Sequence, residues 1–425
     1  MDLIKACESI LRQNWRDGYT VPSPKLYPFQ WNWDSGFIAL GYLHLDPDKA
    51  FQEMERLFLG QWGNGFLPHI VFHHAEKYGN DYFPSADYWN SNVSDQAPRG
   101  LKTTGITQPP VHGYILERMY QKLGISDRLL TLFDQVVRYH QYLYEARETL
   151  DNGLVAIWHN WESGMDNSPW WDESLQRIDP SALQHIALNR KDVKAVEHAE
   201  QTRPTDEEYR RYLWLVNTLK DHQYASCPND YPFQMLDLTF NSLLIASTQS
   251  LLRVGAKMGR NMATLEAKMT LGIESFNQLM WDEADGCYYP YDLVSKSQVK
   301  LLGAACFLPL FAGIPNPEQA GKLSRKLDKY QNVYGIPSLD PGHAQFEEKK
   351  YWRGPVWVNM NYMIWKGLDQ YGLQDASDRL KEKTLEMVKK YGLREYYSMD
   401  PAAEEGYGAE DFSWSASLIL DHFKQ

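Results

Sequence analysis

The chain has 425 residues, of which 43% are hydrophobic and 14% are aromatic, including 15 Trp and 27 Tyr. This size allows a sizeable core in one large domain or a few smaller ones, and the excess of aromatic side chains suggests a carbohydrate or aromatic-lined cleft. The formal net charge of -12 argues against nucleic acid or an anionic membrane as a partner.

No apolar run has the length of a transmembrane helix, and the first residues do not show a basic segment followed by an apolar stretch. We therefore expect neither a membrane span nor a signal peptide. The four cysteines are scattered and form no CxxC pair: Cys7, Cys227, Cys287 and Cys306. Cysteines spaced in this way favour free thiols in a reducing cytoplasm, so we expect a cytoplasmic protein.

The first hundred residues combine helices with a long segment of another kind. A short amphipathic helix is predicted over 3–15, and an apolar helix is predicted over 37–45, directly after a Trp- and acid-rich cluster. Asp46 is predicted to cap the next helix, with Pro47 at its first position. Residues 60–107 lack helical periodicity and are rich in Gly, Asn, Pro, Tyr and His, which indicates a functional loop region.

Helical periodicity dominates the rest of the chain, and Ser126 is the expected N-cap of one long helix. Further helices are predicted near 111–123, 129–143, 182–188, 206–222, 233–255, 263–281, 301–311, 317–330, 356–371, 376–391 and 412–423. About fourteen helices and few strands predict an all-α chain. No linker rich in Gly, Ser or Pro interrupts it, which predicts one domain over 1–425 with loop insertions near 60–107 and 189–210.

Two helices are followed by the same kind of segment, an acidic turn and then a short aromatic run. The turns are Asp151-Asn-Gly153 and Asp285-Gly286. This repetition of helix and hairpin, although weak in sequence identity, suggests a closed ring of helix pairs with a site at one end.

Residues 158–172 hold four tryptophans and three carboxylates, Glu162, Asp166 and Asp172. Gly164 and Pro169 interrupt regular structure, so the stretch is predicted to be an ordered loop that presents acids against aromatic walls. Burial against Trp keeps a carboxyl protonated near neutral pH, and paired acids of this kind suit glycoside hydrolysis. The alternative is a Trp-rich packing loop with solvated acids.

Four more clusters at helix junctions combine aromatic residues with Gly, and all but 351–361 also contain acids: 31–36, 281–292, 351–361 and 394–414. In the last, Glu395 lies between Arg394 and a Tyr pair that can hold it ionised, whereas Glu404 and Glu405 are interpreted as surface residues. Three histidines lack a carboxylate partner at ligand spacing, which favours packing or sugar hydrogen bonds over a metal: His69, His73 and His74. No nucleotide-binding motif is present, and we expect no cofactor or metal.

Five blocks of sequence occur in order between residues 27 and 414: Trp31-Asn-Trp-Asp34, Trp161-Glu-Ser-Gly-Met-Asp-Asn-Ser168, Tyr351-Trp-Arg-Gly-Pro-Val-Trp357, Glu395-Tyr-Tyr and Phe412-Ser-Trp414. They resemble the signature blocks of an inverting α-glycosidase family that includes processing α-glucosidase I and the bacterial mannosylglycerate and glucosylglycerate hydrolases. More distantly, the pattern is similar to trehalases and glucoamylases. The resemblance implies a six-fold (α/α) toroid, with Asp166 as general acid and Glu395 as general base.

The same resemblance implies substrate contacts from Trp31, Trp33, Asp34, Trp161, Glu162, Gly164, Tyr351, Trp352, Trp357 and Trp414. The segment 201–209 resembles the loop that covers glycerate in the bacterial hydrolases, where Arg203 and Tyr209 would hold the carboxylate; Tyr27 and Gln108 also match. Glu410 is also predicted to contact the substrate, but it is a departure, since we expect a neutral amide at this position. An ionised Glu there would repel a substrate carboxylate, which leaves a neutral disaccharide or oligosaccharide open as the alternative substrate.

The leading hypothesis is an inverting α-glycosidase acting on a small glycoside such as 2-O-α-mannosylglycerate or 2-O-α-glucosylglycerate. If so, the carboxyls of Asp166 and Glu395 should be about 6.5–9.5 Å apart across a Trp-lined pocket. A non-catalytic glycan-binding protein would not require both acids, and an epimerase on the same toroid would favour His pairs. A small carbohydrate is the expected partner, and the sequence leaves a homo-oligomer open.

Overall fold

The computed structural model describes residues 2–78, 82–194, 202–403 and 406–424. Within these residues, twelve helices of at least twelve residues form most of the structure. They are α1 Leu3–Asn14, α2 Asn32–Leu45, α3 Pro47–Phe58, α4 His112–Leu123, α5 Asp127–Arg147, α6 Asp206–Asp221, α7 Leu238–Lys257, α8 Ala263–Leu279, α9 Pro317–Tyr330, α10 Val358–Gln370, α11 Gln374–Tyr391 and α12 Ser413–Lys424. The prediction of a helix-rich chain is confirmed.

Shorter elements connect these helices. Helical turns span Ala75–Tyr78, Ala86–Trp89, Ser91–Val93, Asn160–Ser163, Pro169–Trp171, Asp172–Gln176, Ser181–Leu183, Lys191–Lys194 and Ala304–Leu310. The strands are β1 Gln30–Trp31, β2 Ile70–Val71, β3 Met235–Leu236, β4 Trp281–Asp282, β5 Cys287–Tyr288, β6 Tyr291–Asp292, β7 Ser297–Gln298, β8 Arg394–Tyr396 and β9 Tyr407–Glu410. They pair antiparallel as β1–β2, β3–β6–β7, β4–β5 and β8–β9.

Burial divides the helices into two kinds. Most residues of α2, α7, α10 and α12 are buried, whereas α3, α9 and α11 bury one apolar face and expose a charged one. The buried segments contact one another in sequence: α2 contacts α4, α4 contacts α7, α7 contacts Ala304–Leu310, that turn contacts α10, α10 contacts α12, and α12 contacts α2.

A second helix packs against each of these six segments. The pairs are α2 with α3, α4 with α5, α7 with α8, Ala304–Leu310 with α9, α10 with α11, and α12 with α1. The hydrophobic core therefore lies among the inner segments and between each of them and its partner. Among the described residues, no helix is both long enough and apolar enough to span a membrane.

The start of α2 differs from the prediction, and the difference positions the site. The sequence predicted a helix from Phe37, but α2 begins at Asn32 and has no side-chain cap. Its first amides bond to other segments instead, because the Asn32 amide donates to the His69 carbonyl at 3.0 Å and the Trp33 amide to Gln108 Oε1 at 3.3 Å. Tertiary contacts satisfy the free amides of the helix start, which places Asp34 in its first turn.

Other helix boundaries were predicted with mixed success. The Ser126 hydroxyl accepts a hydrogen bond from the Leu129 amide at 3.2 Å, which confirms the predicted cap of α5. Asp46 precedes α3, but its side chain makes no capping hydrogen bond. The helix predicted over 182–188 was wrong, since only the short turn Ser181–Leu183 forms there.

Candidate active site

Most of the residues that the sequence predicted for the site line one cavity. They are Tyr27, Trp31, Trp33, Asp34, Gln108, Trp161, Gly164, Asp166, Arg203, Tyr209, Tyr351, Glu395 and Trp414. They come from α2 and the segment before it, from the segment before α4, from the loop after α5, from α6 and the segment before it, from the segment before α10, from β8 and from α12. Segments far apart in sequence thus supply aromatic walls and acids to one cavity.

The loop that carries Asp166 is held in a single shape by close packing. Gly164 has φ of 73°, and a Cβ at this position would lie 2.6 Å from the Trp33 ring, so only glycine fits. The Asn160 side chain donates to the Asp166 carbonyl at 2.7 Å, and the Trp171 indole donates to the Met165 carbonyl at 2.8 Å. The predicted ordered loop is confirmed, with two short helical turns.

The carboxyl of Asp166 is well suited to donate a proton. Burial raises the pKa of Asp166 to about 7; Arg203 opposes this rise and Glu395 adds to it. A carboxyl with this pKa is partly protonated at neutral pH, as a general acid must be.

Glu395, which is 1% exposed on β8, accepts four hydrogen bonds. The hydroxyls of Tyr27 and Tyr351 donate to Oε1 at 2.6 and 2.9 Å. Nη2 of Arg203 and the amide of Ala409 donate to Oε2 at 3.1 and 3.2 Å. Because all four partners are donors, they match an acceptor-only carboxylate and fix its orientation.

Arg203 is buried beside Glu395 and does not lie on the protein surface. Its Nη1 donates to the Tyr27 hydroxyl at 3.3 Å, and its guanidinium lies 4.4 Å from the centroid of the Tyr351 ring. A surface pair with Asp206 or Glu207 does not form, since these acids pair with Arg190 at 3.2 Å and Arg211 at 2.7 Å.

Another part of the cavity wall combines Asp34 with aromatic rings. Asp34 is buried in the first turn of α2, and this burial raises its pKa well above the usual range, with a further contribution from Glu395. Trp33 meets Trp414 edge to face, with ring centroids 5.3 Å apart. Apolar faces beside a carboxyl and the amide of Gln108 are the surroundings that a sugar ring with its hydroxyls requires.

Four residues predicted to contact the substrate do not line the cavity. Trp352 and Trp357 stack on each other at 3.6 Å between centroids, and Trp357 packs against Tyr351, so they support the wall from behind. Glu410 has a side chain that is 55% exposed and pairs with Arg394 at 3.1 Å and Lys25 at 3.5 Å. It is therefore not placed to repel a substrate carboxylate in the cavity. The fourth residue is Glu162.

Glu162 is fully buried and forms a structural ion pair. Its two oxygens accept from Arg147 at 3.0 Å each, and they also accept from the amides of Thr107 and Trp158 at 3.1 and 2.7 Å. The guanidinium of Arg147 lies 3.7 Å from the centroid of the Trp158 ring. Glu162 thus joins α5 to the loop that carries Asp166.

We predict that Glu162→Ala lowers the free energy of unfolding by about 3–5 kcal/mol, because the buried Arg147 loses its partner. Thermal and urea unfolding monitored by circular dichroism would measure this change. Glu274→Ala on α8 is the control and should change stability by less than about 0.5 kcal/mol, as expected of a surface substitution. Equal stability of both variants would contradict a structural role for Glu162.

Several residues that line the cavity were missed by sequence reasoning. They are Pro22, Leu26, Ile70, Tyr82, Phe83, Pro84, Trp89, Lys191, Asp192, Pro204 and Phe412. His69, interpreted as a packing or sugar-binding residue, also lines it. The composition of 60–107 indicated a functional loop without identifying its individual side chains. Gln201, in the segment that resembles the glycerate loop, and Glu404 and Glu405 lie outside the described residues.

Residues 27–415 match the model of the mannosylglycerate hydrolase MGH1-like glycoside hydrolase domain. The chain is 39% identical to a mannosylglycerate hydrolase of Thermus thermophilus, over 98% of this chain and 99% of that protein. It is 31% identical to glucosylglycerate hydrolase of Mycolicibacterium hassiacum, over 97% and 95% of the two chains.

Among solved structures, a GH63 mannosylglycerate hydrolase from Thermus thermophilus in complex with Tris and D-glycerate superposes with a TM-score of 0.91. The two sequences are 38% identical, and the match covers 99% of this chain and 100% of that one. The resemblance inferred from the five sequence blocks is confirmed. The chain therefore belongs to the mannosylglycerate hydrolase MGH1-like family of glycoside hydrolases.

Proposed function

We propose that the protein is an inverting α-glycoside hydrolase that cleaves a glycosylglycerate, with Asp166 as general acid and Glu395 as general base. The observation that carries this proposal is the contrast between two carboxyls that line the same cavity. Burial raises the pKa of Asp166 to about 7, whereas Glu395 accepts hydrogen bonds from four donors. Two acids in such different environments can divide the roles of proton donor and proton acceptor.

In the proposed reaction, Asp166 donates its proton to the glycosidic oxygen as the bond to the anomeric carbon breaks. Glu395 removes a proton from a water that attacks the anomeric carbon on the opposite face. The configuration inverts in this single displacement, so an α-glycoside yields the β-sugar. We expect the two carboxyls to be about 6.5–9.5 Å apart, which leaves room for the water.

We also propose that the helices form a six-fold (α/α) toroid within one domain over 1–425. The cyclic order of contacts among the six inner segments, each with an outer helix, supports this arrangement. In a toroid of this kind, the loops at one end of the inner helices would carry the site. The segments that line the cavity are the connections beside α2, α4, α6, α10 and α12.

The proposed substrates are 2-O-α-mannosylglycerate and 2-O-α-glucosylglycerate. The relatives named above are a mannosylglycerate hydrolase and a glucosylglycerate hydrolase, and the Thermus structure is a complex with Tris and D-glycerate. In this chain, Arg203 lies in the cavity, where its charge can attract the glycerate carboxylate. The Tyr209 hydroxyl donates to the Phe83 carbonyl at 3.0 Å, so it would have to turn in order to donate to the substrate.

The proposed mechanism predicts that the β-anomer of the sugar is released first from an α-linked substrate. Proton NMR during the first minutes of turnover, before mutarotation, would show its anomeric signal. Release of the α-anomer would mean retention and would overturn the proposed roles. The substrate is tested separately with mannosylglycerate, glucosylglycerate, trehalose and kojibiose; hydrolysis of the neutral disaccharides alone would favour the α-glucosidase alternative.

A further inference from the structure

Most of the charged side chains that line the cavity, among the described residues, are paired or favour their neutral forms. Arg203 faces Glu395, with Nη2 and Oε2 3.1 Å apart. Asp192 is paired with Arg190, whose Nη2 lies 2.7 Å from Oδ2. Burial raises the pKa values of Asp34 and Asp166 and so favours their neutral forms, and it lowers the pKa of His69 to about 3, which leaves that imidazole uncharged.

The remaining charged side chain of the lining is Lys191. Within the described residues, its ammonium group makes neither an ion pair nor a hydrogen bond. A cation in the lining of a cavity that has no partner there is available to an anionic ligand.

The position of Lys191 is fixed through its neighbours on both sides. Arg190 is 3% exposed and donates to the Pro204 carbonyl at 2.6 Å as well as to Asp192. Its guanidinium also lies 4.4 Å from the centroid of the Tyr209 ring. These contacts attach the turn Lys191–Lys194 to Pro204 and Tyr209 at the start of α6, which also line the cavity.

The carboxylate of a glycosylglycerate adds one negative charge to this space. Arg203 already compensates the charge of Glu395. Without a second cation, Arg203 would have to compensate both the Glu395 carboxylate and the substrate carboxylate. We propose that Lys191 is a specificity-determining residue that binds the carboxylate of the acidic aglycone, while Arg203 remains shared with the general base. The inference rests on the proposed function, since it assigns a further contact to the same substrate.

Lys191→Gln, which removes the charge and keeps most of the side-chain length, tests the proposal. For glycosylglycerates we expect KM to rise about tenfold or more, because the charge-assisted hydrogen bond to the carboxylate is lost. The turnover number should stay within about twofold, since a contact with the aglycone carboxylate alone does not act on the glycosidic oxygen or the attacking water. For the matching neutral substrate, in which a hydroxymethyl group replaces the carboxylate, KM should not change.

Two further variants and one binding measurement complete the test. Lys191→Arg should restore most of the affinity, and Lys194→Ala, on the same turn but outside the cavity lining, should behave like the wild type. Calorimetric titration with D-glycerate should show the same loss of affinity in Lys191→Gln without any turnover. Unchanged KM and unchanged glycerate affinity in this variant, in an enzyme that cleaves glycosylglycerates, would overturn the role of Lys191 alone. Failure of the wild type to cleave them would overturn the proposed function as well.

Discussion

Replacing Asp166 by Asn is expected to lower the turnover of glycosylglycerates by about 10²–10⁴-fold, the usual contribution of a general acid. The loss should depend on the leaving group. A glycoside with an activated leaving group, such as a dinitrophenolate, needs little protonation and should be partly spared. Replacing Glu395 by Gln should cause a loss of similar size with both kinds of substrate, because the attacking water needs a base whatever group leaves.

The pH dependence provides an independent check on the same assignment. Since burial raises the pKa of Asp166 to about 7, the protonated acid is present below that pH and is lost as the pH rises through it. The kcat/KM of the wild type should therefore fall on the alkaline side near pH 7. This alkaline limb should be absent in Asp166→Asn with the activated substrate. Equal losses on both substrates in both variants, or an unchanged alkaline limb, would contradict the division of roles.

The local sequence was sufficient to predict the bounds of a helix where capping residues stand at its end. The helix predicted over 317–330 has these bounds in the structure, because Asn316 caps it and Pro317 occupies its first position. It was insufficient for α2, whose first amides bond to His69 and Gln108 from distant segments. No pattern within residues 29–37 encodes those partners.

The site shows the same division between local and tertiary information. The blocks around Asp166 and Glu395 could be recognised because aromatic and acidic residues are concentrated there, and both residues line the cavity. Their environments could not be read from the sequence. The four donors to Glu395 come from separate segments, and Glu162 looked like a site residue although it is buried against Arg147. Lys191 lies in a charged stretch where nothing local distinguishes it from other lysines.

Arg203 is the residue whose predicted role changes most once its contacts are known. If Arg203 only bound the substrate carboxylate, Arg203→Ala would raise KM for glycosylglycerates and leave KM for neutral α-glucosides almost unchanged. In the structure, however, the guanidinium also contacts Glu395 at 3.1 Å and Tyr27 at 3.3 Å. Removing it would leave the buried Glu395 carboxylate without its cation and would break both hydrogen bonds. We expect this loss to slow the reaction of acidic and neutral substrates alike.

We therefore predict that Arg203→Ala lowers kcat about 10–100-fold for acidic and neutral substrates alike, since each lost charge-assisted hydrogen bond is worth about 1.5–3 kcal/mol. KM should rise, by about tenfold or more, only for substrates with a carboxylate. Steady-state kinetics on glycosylglycerate and on its hydroxymethyl counterpart separates the two effects. Arg211→Ala, which breaks the surface pair with Glu207 on α6, is the matched control and should change neither constant. A change in KM with kcat intact would mean that Arg203 leaves Glu395 when substrate binds. A change in kcat with KM intact would leave Lys191 as the cation that selects the acidic aglycone.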